Sequence, residues 1–374
     1  MATVEKSLHV LIACGGTGGH LFPGIAVGEV LKARGHEATL LISEKKIDSL
    51  AASGHVGLSF EKMPFLAMPR IYSPKMLPFG IKFLSGLRAC KKLIAQNKTQ
   101  VVLGMGGFTS TAPVIAGKWA KCKTLIHDSN ALPGKANRLT ARFCDMVLLG
   151  FAEAGKFFPK NDTRVTGTPV RTNLRAEAKA GGDDPFAFFK LEPGRKTLLV
   201  MGGSQGARGV NEAVTSSLDV LAAQGWQVLH ITGPADYQAM HDAYQKTDMV
   251  AHAHVAAFCH RMELAYQIAD VAIARSGAST LAELAYFGVP SILVPYPFAA
   301  DDHQTKNAEI FAQTGAGLLI KQSDLNAAVM ASVLSDIVAL ESKYATMKAA
   351  ARKLSHDDAA ERIADIIEEL AAQT

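Results

Sequence analysis

Residues 8–20 read LHVLIACGGTGGH and decide the fold class. The unbroken apolar run at the start of this stretch suits a parallel β-strand that is buried on both faces. A glycine-rich turn follows, and a helical pattern runs from about residue 24 to 34. Strand, glycine turn and helix together begin a βαβ unit. The same order returns at residues 197–209, which contain GGSQGAR. The chain is therefore predicted to be α/β, with two Rossmann-like domains in tandem.

Further apolar runs predict the other strands of the two sheets. They lie at residues 38–42, 101–103, 124–126, 146–149, 227–232, 271–274 and 291–294. Three helices are predicted to close the chain, at residues 324–340, 342–354 and 357–372. The small, acidic stretch at 178–184 has the composition of a linker. We place the first domain at residues 1–171 and the second at residues 172–354.

Composition excludes several classes of protein. The 374 residues are 48% hydrophobic and 20% charged, as in an ordinary globular protein of two domains. The net charge of +5 suits anionic partners such as nucleotides or acidic lipids, but it is too small and dispersed to indicate nucleic acid. The five cysteines form no Cys-x-x-Cys pair, which favours a reducing compartment. With no signal peptide and no membrane-length apolar run, we expect a cytoplasmic protein whose membrane contact is peripheral.

Three motifs follow predicted strands of the first sheet: GGTGGH at 15–20, GMGGFTS at 104–110 and HDSN at 127–130. Because the carboxyl ends of parallel strands meet at one edge, we expect these motifs to form one binding surface. Glycines let the backbone approach a ligand, and helix N-termini favour anions. A dinucleotide-binding dehydrogenase remains an alternative, although the third glycine of its motif is missing and only Glu44 supplies the acidic residue.

His20 ends the first of these motifs. A histidine there is suited to take a proton from an attacking hydroxyl, since the ordinary histidine pKa of about 6.5 fits a general base. A simple hydrogen bond at the helix start is an equally good interpretation. Asn130 suits a sugar hydroxyl, although asparagine is also a common turn residue.

The second half repeats the anion-binding argument at residues 202–206 and 274–280, where small residues open a helix. Glu283 follows one turn later. A carboxylate at this position can accept both hydroxyls of a ribose, as in other nucleotide sites. The alternative is an ordinary acidic partner of the helix dipole. We favour ribose binding.

No metal or other cofactor is predicted. The acidic pair Asp301 and Asp302 suggests a metal, but the chain lacks the Asp-x-Asp pattern expected of metal-dependent sugar-nucleotide transferases. The neighbouring His303 and Gln304 suit sugar hydroxyls better. The three clustered histidines, His252, His254 and His260, do not favour a zinc site, since a His-x-His pair of this kind is more often incidental than a metal ligand.

Residues 69–92 interleave apolar residues with lysine and arginine, a pattern that suits contact with an anionic membrane. Pro78 and Gly80 are expected to break any helix before about Ile81. A core helix with a solvated basic face is the alternative, and on the pattern alone it is favoured.

Seven motifs together resemble those of the MurG family, the N-acetylglucosaminyltransferases of bacterial peptidoglycan synthesis. They occur in the family's order across nearly the whole chain, at residues 15–20, 106–110, 127–130, 167–171, 202–208, 275–283 and 303–307. The resemblance implies a glycosyltransferase-B fold, in which two Rossmann-like domains with parallel sheets face a central cleft. It also implies that a last helix, at about 355–374, returns to the first domain.

The family's reaction is implied as well. GlcNAc would pass from UDP-GlcNAc, with inversion and without a metal, to the C4 hydroxyl of the MurNAc-pentapeptide in undecaprenyl-linked lipid I. The product would be lipid II for cell-wall growth, cell shape and division. The protein would act peripherally at the cytoplasmic face of the bacterial inner membrane, beside other cell-wall synthesis proteins. Alternatives are a UDP-GlcNAc 2-epimerase or another lipid-sugar transferase of the same fold, or a non-catalytic membrane scaffold.

The resemblance also assigns residues. The catalytic candidates are His20 and Glu283. The donor-binding candidates are Thr17, Gly18, Gly19, Asn130, Arg171, Ser204, Cys259, Ala278, Ser279, Thr280, Leu281, Ala282, Glu283 and Gln304. The acceptor-side candidates are Gly106, Gly107, Phe108, Thr109 and His127. The chain departs from the family at Asp128 and Ser129, where glutamate and glutamine are common, and at Cys259, where isoleucine is common.

Overall fold

The computed structural model describes residues 7–16, 18–44, 57–63, 74, 76–180, 182–203, 206–339 and 341–373. The chain divides into two compact units. One unit comprises Met1–Arg171 together with His356–Thr374, and the other comprises Thr172–Ser355. The stretch at 178–184 that the composition marked as a linker lies inside the second unit, so that prediction was wrong. The first residues of this stretch continue a helix to Ala180, since alanine is the best helix former.

The first unit is built on a parallel sheet. Its strands are β1 (His9–Ala13), β2 (Glu37–Ser43), β3 (Ser59–Met63), β4 (Val101–Gly104), β5 (Lys123–Asp128), β6 (Met146–Leu149) and β7 (Asp162–Val165). Its first helices among the described residues are α1 (Gly18–Ala33), α2 (Met76–Gln96), α3 (Thr111–Trp119) and α4 (Lys135–Thr140). The strand order is β3-β2-β1-β4-β5-β6-β7. Strand β1 lies between β2 and β4, where the order reverses, and open α/β sheets bind ligands at such a point.

The second unit repeats this plan. Its strands are β8 (Thr197–Met201), β9 (Gln227–Ile231), β10 (Ala253–Ala256), β11 (Val271–Ala274), β12 (Ser291–Leu293) and β13 (Gly317–Leu319). The helices described in it are α5 (Thr172–Ala180), α6 (Pro185–Phe189), α7 (Arg208–Thr215), α8 (Leu218–Ala223), α9 (Tyr237–Tyr244), α10 (Met262–Ile268), α11 (Ala278–Phe287), α12 (His303–Gln313), α13 (Ala327–Val338) and α14 (Glu341–Lys353). The parallel order β10-β9-β8-β11-β12-β13 reverses between β8 and β11.

Helix α15 (Ala359–Ala372) packs against α1 of the first unit. Its apolar face, with Ile363 and Ile367, joins the core that β1 and α1 form. At the surface, Arg34, the residue after α1, pairs with Asp365 at 2.6 Å and with Glu368 at 3.0 Å. The last stretch of the sequence is therefore part of the unit that its first residues begin.

Helix α2 begins at Met76 and runs through Pro78 and Gly80, so the prediction that these two residues break it before Ile81 was wrong. Pro78 is the third residue of the helix. The N–H groups of the first turn have no acceptor within a helix, so proline removes no hydrogen bond there. Gly80 costs the helix only about 1 kcal/mol relative to alanine. Among the described helices, none is long and apolar enough to cross a bilayer.

Candidate active site

Three loops at the carboxyl edge of the first sheet carry the predicted residues of that unit. The loop after β1 leads into Gly18 and Gly19, which open α1, and into His20 in its first turn. A Cβ on Gly15 would collide with the backbone nitrogen of Ser43, so only glycine lets this turn cross the end of β2. Thr109 donates a hydrogen bond of 2.8 Å to the Gly15 carbonyl and ties the loop after β4 to the loop after β1.

The imidazole of His20 lies against Gly106 and Gly107. A Cβ placed on Gly106 would lie 3.1 Å from Nε2 of His20, and one on Gly107 would lie 3.1 Å from its Cε1. Both glycines have positive φ, at 111° and 72°, which side-chain-bearing residues rarely adopt. We call residues 106–109, which follow β4 and were predicted on the acceptor side, the acceptor loop. His20 can lie against this loop because two of its backbone positions lack a side chain.

A buried carboxylate holds the acceptor loop in place. Oδ2 of Asp128 accepts a 2.7 Å hydrogen bond from Nδ2 of Asn137, and Oδ1 of Asn137 accepts a 2.9 Å bond from the Gly107 N–H. Oδ1 of Asp128 accepts from the Asn130 N–H at 2.9 Å. Burial raises the pKa of Asp128, and the donors that surround it oppose this rise. These hydrogen bonds, which run from Asp128 through Asn137 to Gly107, link the end of β5 to the acceptor loop against His20. We call them the relay from Asp128 to Gly107.

His127, which the resemblance places on the acceptor side, is completely buried. Its Nε2 donates to the Gly167 carbonyl at 2.9 Å, which leaves Nδ1 to accept from the Ser129 hydroxyl at 3.3 Å. Burial lowers the pKa of His127 to about 4, with a smaller contribution from His20. The imidazole is therefore neutral near pH 7 and serves to fix the backbone at Gly167.

The remaining first-unit candidates lie around the same edge. The Arg171 guanidinium stacks over the Phe22 ring of α1, 5.0 Å from its centre. Phe108 begins a short 3₁₀ turn and packs against Phe79 and Phe83 of α2, at ring distances of 5.3 and 5.7 Å. Asn130 is half-buried in the loop after β5. Thr17 lies outside the described residues.

The loop after β8 opens the corresponding edge of the second sheet. A Cβ on Gly202 would collide with the backbone nitrogen of Ala207, so this position also requires glycine. Gly203 is exposed at the tip. The predicted donor contact Ser204 lies outside the described residues. Cys259 is half-buried in the loop after β10.

Helix α11 follows β11, and its N-cap residue is Gly277, which has no side chain with which to cap the first turn. Its first amides belong to Ala278, Ser279 and Thr280, and such amides attract anions because they have no acceptor within the helix. Leu281 is buried, and its N–H donates to the Gly277 carbonyl at 3.0 Å. Leu281 therefore supports the helix, whereas the half-buried Ala282 and Glu283 lie in its next turn.

Glu283 is held by a neighbour from another helix. The Tyr266 hydroxyl of α10 donates a 2.7 Å hydrogen bond to Oε2 of Glu283. Sequence analysis did not identify Tyr266, because nothing in the local pattern of α10 distinguishes it from a core tyrosine. Only the packing of α10 beside α11 brings the two side chains together.

Sequence analysis also did not identify Arg275 as a site residue. Its guanidinium forms hydrogen bonds with residues that follow two strands of the second sheet. Its Nη1 donates to the carbonyls of Val294 and Pro295, both at 3.0 Å, and its Nη2 donates to Gln322 at 2.6 Å. Gln304 accepts from the Tyr296 N–H at 2.9 Å through Oε1, so its Nε2 is the group left to donate to a ligand. The only indication of a role for Arg275 in the sequence was its position just before the small residues that open α11.

The other polar candidates form no metal centre in the described residues, where no group of three or more histidine, cysteine, aspartate or glutamate side chains has a suitable arrangement. His303 donates from Nδ1 to the Ala300 carbonyl at 2.7 Å. His252 pairs with Glu192 at 3.0 Å, and His254 donates to the Phe189 carbonyl at 3.0 Å.

Two protein-family models match this chain, one in its first half and one in its second. Residues 10–149 match the glycosyltransferase family 28 N-terminal domain, and residues 197–363 match its C-terminal domain. A relative from Halalkalibacterium halodurans is 31% identical over 366 residues, which cover 97% of this chain and 100% of the relative. That protein is named UDP-N-acetylglucosamine–N-acetylmuramyl-(pentapeptide) pyrophosphoryl-undecaprenol N-acetylglucosamine transferase. This chain belongs to the MurG family of glycosyltransferases.

Solved structures agree with this membership. The crystal structure of Acinetobacter baumannii MurG is 26% identical, with a TM-score of 0.75 and coverage of 97% of this chain and 99% of that one. A solved UDP-N-acetylglucosamine 2-epimerase is 13% identical, with a TM-score of 0.66 and coverage of 96% and 94%, which shows the shared fold alone. The chain therefore has the glycosyltransferase-B fold and, as a MurG-family member, is a hexosyltransferase.

Proposed function

We propose that this chain transfers GlcNAc from UDP-GlcNAc to the C4 hydroxyl of MurNAc in undecaprenyl-linked lipid I and so forms lipid II. The name of the relative that matches the chain end to end supports this proposal. The observation on which it depends most is that α11 begins after Gly277 at the carboxyl end of β11, with Glu283 held further along the same helix. Together they offer backbone amides for a diphosphate and a fixed carboxylate for a ribose.

The donor half of the mechanism is electrostatic. As the sugar–phosphate bond breaks, negative charge grows on the departing UDP, and the first amides of α11 stabilise it. Arg171 would add positive charge, and Gln304 would donate from Nε2 to a sugar hydroxyl. In this proposal amides and an arginine, not a metal ion, neutralise the diphosphate, so transfer should persist in EDTA.

The acceptor half needs a base on the face opposite the departing UDP. His20 is our candidate because its ring lies against the Gly106–Gly107 turn. It would take the proton from the C4 hydroxyl as the hydroxyl attacks an oxocarbenium-like anomeric carbon. The attack inverts the anomeric centre.

Label transfer tests the proposal directly. The protein is incubated with UDP-GlcNAc carrying a radiolabelled sugar, with and without a lipid I analogue, and both the lipid and nucleotide fractions are analysed. We expect label in the lipid fraction only when the analogue is present, with or without EDTA. Formation of the 2-epimer without an acceptor would instead support the epimerase alternative.

The relay from Asp128 to Gly107 gives a prediction about the acceptor loop. Asp128→Asn leaves one acceptor oxygen where two are needed, so a buried donor loses its partner at a cost of about 1–3 kcal/mol. We expect transfer activity to fall by roughly 10- to 100-fold. The matched rescue is Asp128→Asn with Asn137→Asp, which exchanges donor and acceptor and still leaves an oxygen for the Gly107 N–H. If the double variant is no more active than Asp128→Asn, the relay does not position this loop.

We also propose that α2 contacts the anionic inner membrane at its cytoplasmic face. Leu77, Ile81 and Leu84 are 76%, 62% and 55% exposed, although apolar side chains normally avoid water. Exposed cations continue along the helix at Lys82, Arg88, Lys91 and Lys92. The contact of Phe79 and Phe83 with Phe108 ties this helix to the predicted acceptor loop. A lipid-linked acceptor would therefore meet the enzyme near the bilayer surface.

Replacing the three exposed side chains, Leu77→Ser, Ile81→Ser and Leu84→Ser, should weaken binding to vesicles that contain phosphatidylglycerol by at least about 10-fold, because the apolar contact is lost. Co-sedimentation measures binding, and thermal melting checks the fold. The matched control is Leu139→Ser with Val250→Ser, two exposed apolar residues elsewhere. Equal binding by the triple variant and the wild type would contradict the membrane proposal.

A further inference from the structure

The hydrogen bond between Tyr266 and Glu283 joins two helices at the predicted ribose position. Tyr266 is buried in α10, and its hydroxyl lies 2.7 Å from Oε2 of the half-buried Glu283. A phenol hydroxyl near pH 7 is protonated and donates to the carboxylate. Because this donor is uncharged, it orients the Glu283 carboxylate without placing a positive charge beside it.

Both the ring and the hydroxyl of Tyr266 have a further contact. The ring stacks on Phe287, which lies one turn after Glu283 in α11, with ring centres 5.0 Å apart and an interplanar angle of 23°. Its hydroxyl also lies 3.7 Å from Sδ of Met201, the last residue of β8. The hydroxyl therefore has little freedom to move away from Glu283, since packed aromatic rings hold their rotamers.

We propose that Tyr266 is a positioning residue that fixes the Glu283 carboxylate for recognition of the ribose hydroxyls of the donor. This inference rests on the donor-binding part of the proposed function. A glutamate has three side-chain torsions, and a ligand that must order them binds more weakly. With one oxygen held by Tyr266, the carboxylate is oriented before the nucleotide arrives. The consequence is stronger discrimination between ribose and 2′-deoxyribose.

The test measures binding, so it does not depend on transfer activity. Calorimetry gives the dissociation constants of UDP and of 2′-deoxyuridine diphosphate for each variant. We expect the wild type to prefer UDP and Tyr266→Phe to reduce that preference about 10-fold, mainly through weaker UDP binding, since the ring and its packing remain. In a Glu283→Ala background, Tyr266→Phe should have no further effect on the preference.

The matched control is Tyr244→Phe. Tyr244 is also a buried tyrosine of the second unit, and its hydroxyl pairs with Nδ1 of His230 at 3.1 Å. This control should lose stability in thermal melting but keep the wild-type preference for UDP. If Tyr266→Phe likewise lowers only the melting temperature, its role is structural and the inference is overturned.

The two levels of proposal fail in different ways. A wild-type protein that binds UDP and its 2′-deoxy analogue equally well would remove Glu283 from the ribose site and overturn this inference as well. A wild type that prefers UDP but transfers no sugar to the lipid I analogue would contradict only the proposed acceptor. A preference unchanged by Tyr266→Phe would contradict the positioning role alone.

Discussion

His20→Ala is expected to lower kcat for transfer to a lipid I analogue by about 10²- to 10⁴-fold, the range typical of a lost general base. The KM for UDP-GlcNAc should change little, since the imidazole lies against the acceptor loop at Gly106 and Gly107. Steady-state kinetics with each substrate varied in turn separates these two effects.

The pH profile makes the same prediction sharper. A base must be neutral to take a proton, so a protonated His20 cannot accept the proton of the C4 hydroxyl. The wild-type rate should therefore fall as the pH drops through the range in which His20 becomes protonated, and this acid limb should be missing from His20→Ala. His241→Ala, a surface histidine of α9, is the matched control and should retain the limb. An unchanged kcat with the wild-type acid limb in His20→Ala would rule out His20 as the base.

Glu283→Ala is the second change with a large expected effect. Charged hydrogen bonds contribute about 1.5–3 kcal/mol each, so losing the carboxylate should reduce kcat/KM for UDP-GlcNAc by roughly 100-fold or more. Most of the change should appear in KM, because ribose hydroxyls are bound in the ground state and the transition state alike. The Tyr266 hydroxyl would also lose its acceptor.

A surface glutamate provides the comparison for this second prediction. Glu309 in α12 pairs with Lys306 at 2.8 Å at the protein surface, and Glu309→Ala removes a carboxylate of equal charge. Its kcat/KM should stay within about two-fold of the wild type, because exposed ion pairs contribute little. If Glu283→Ala is as active as Glu309→Ala, the carboxylate is only a partner of the helix dipole.

Much of the fold was predictable from hydrophobic runs. Each strand that the sequence predicted is present, and all belong to the interiors of the two sheets. The described strands that it missed are β3, β7, β10 and β13, and these are the four sheet edges. Central parallel strands are covered on both faces and must be continuously apolar, whereas edge strands such as SFEKM in β3 and DTRV in β7 can carry polar residues.

The candidate site, too, was predictable from the sequence only in part. Glycine motifs revealed where the backbone must approach another group, because a single residue type satisfies that need locally, as at Gly15 and Gly202. Polar partners were not predictable. Asn137 meets Asp128 across nine residues, and Tyr266 meets Glu283 across seventeen, so neither pairing leaves a periodic signal in the sequence.

His127 shows the same limit for a residue that the sequence did identify. The resemblance placed it on the acceptor side, and the structure shows that it is buried, with Nε2 donating to the Gly167 carbonyl. Only the fold specifies whether a polar side chain at a strand end faces solvent or the interior.

The sequence by itself determined the two parallel sheets, their glycine-lined edges and the family, since each depends on residue types at short, fixed spacings. Tertiary structure alone decided which side chains hold the glycine loops and Glu283 in place, and which apolar residues of α2 remain exposed. The physical reason is that hydrogen-bond partners and burial arise from contacts between distant segments, whereas local backbone conformation and hydrophobic period are written into neighbouring residues.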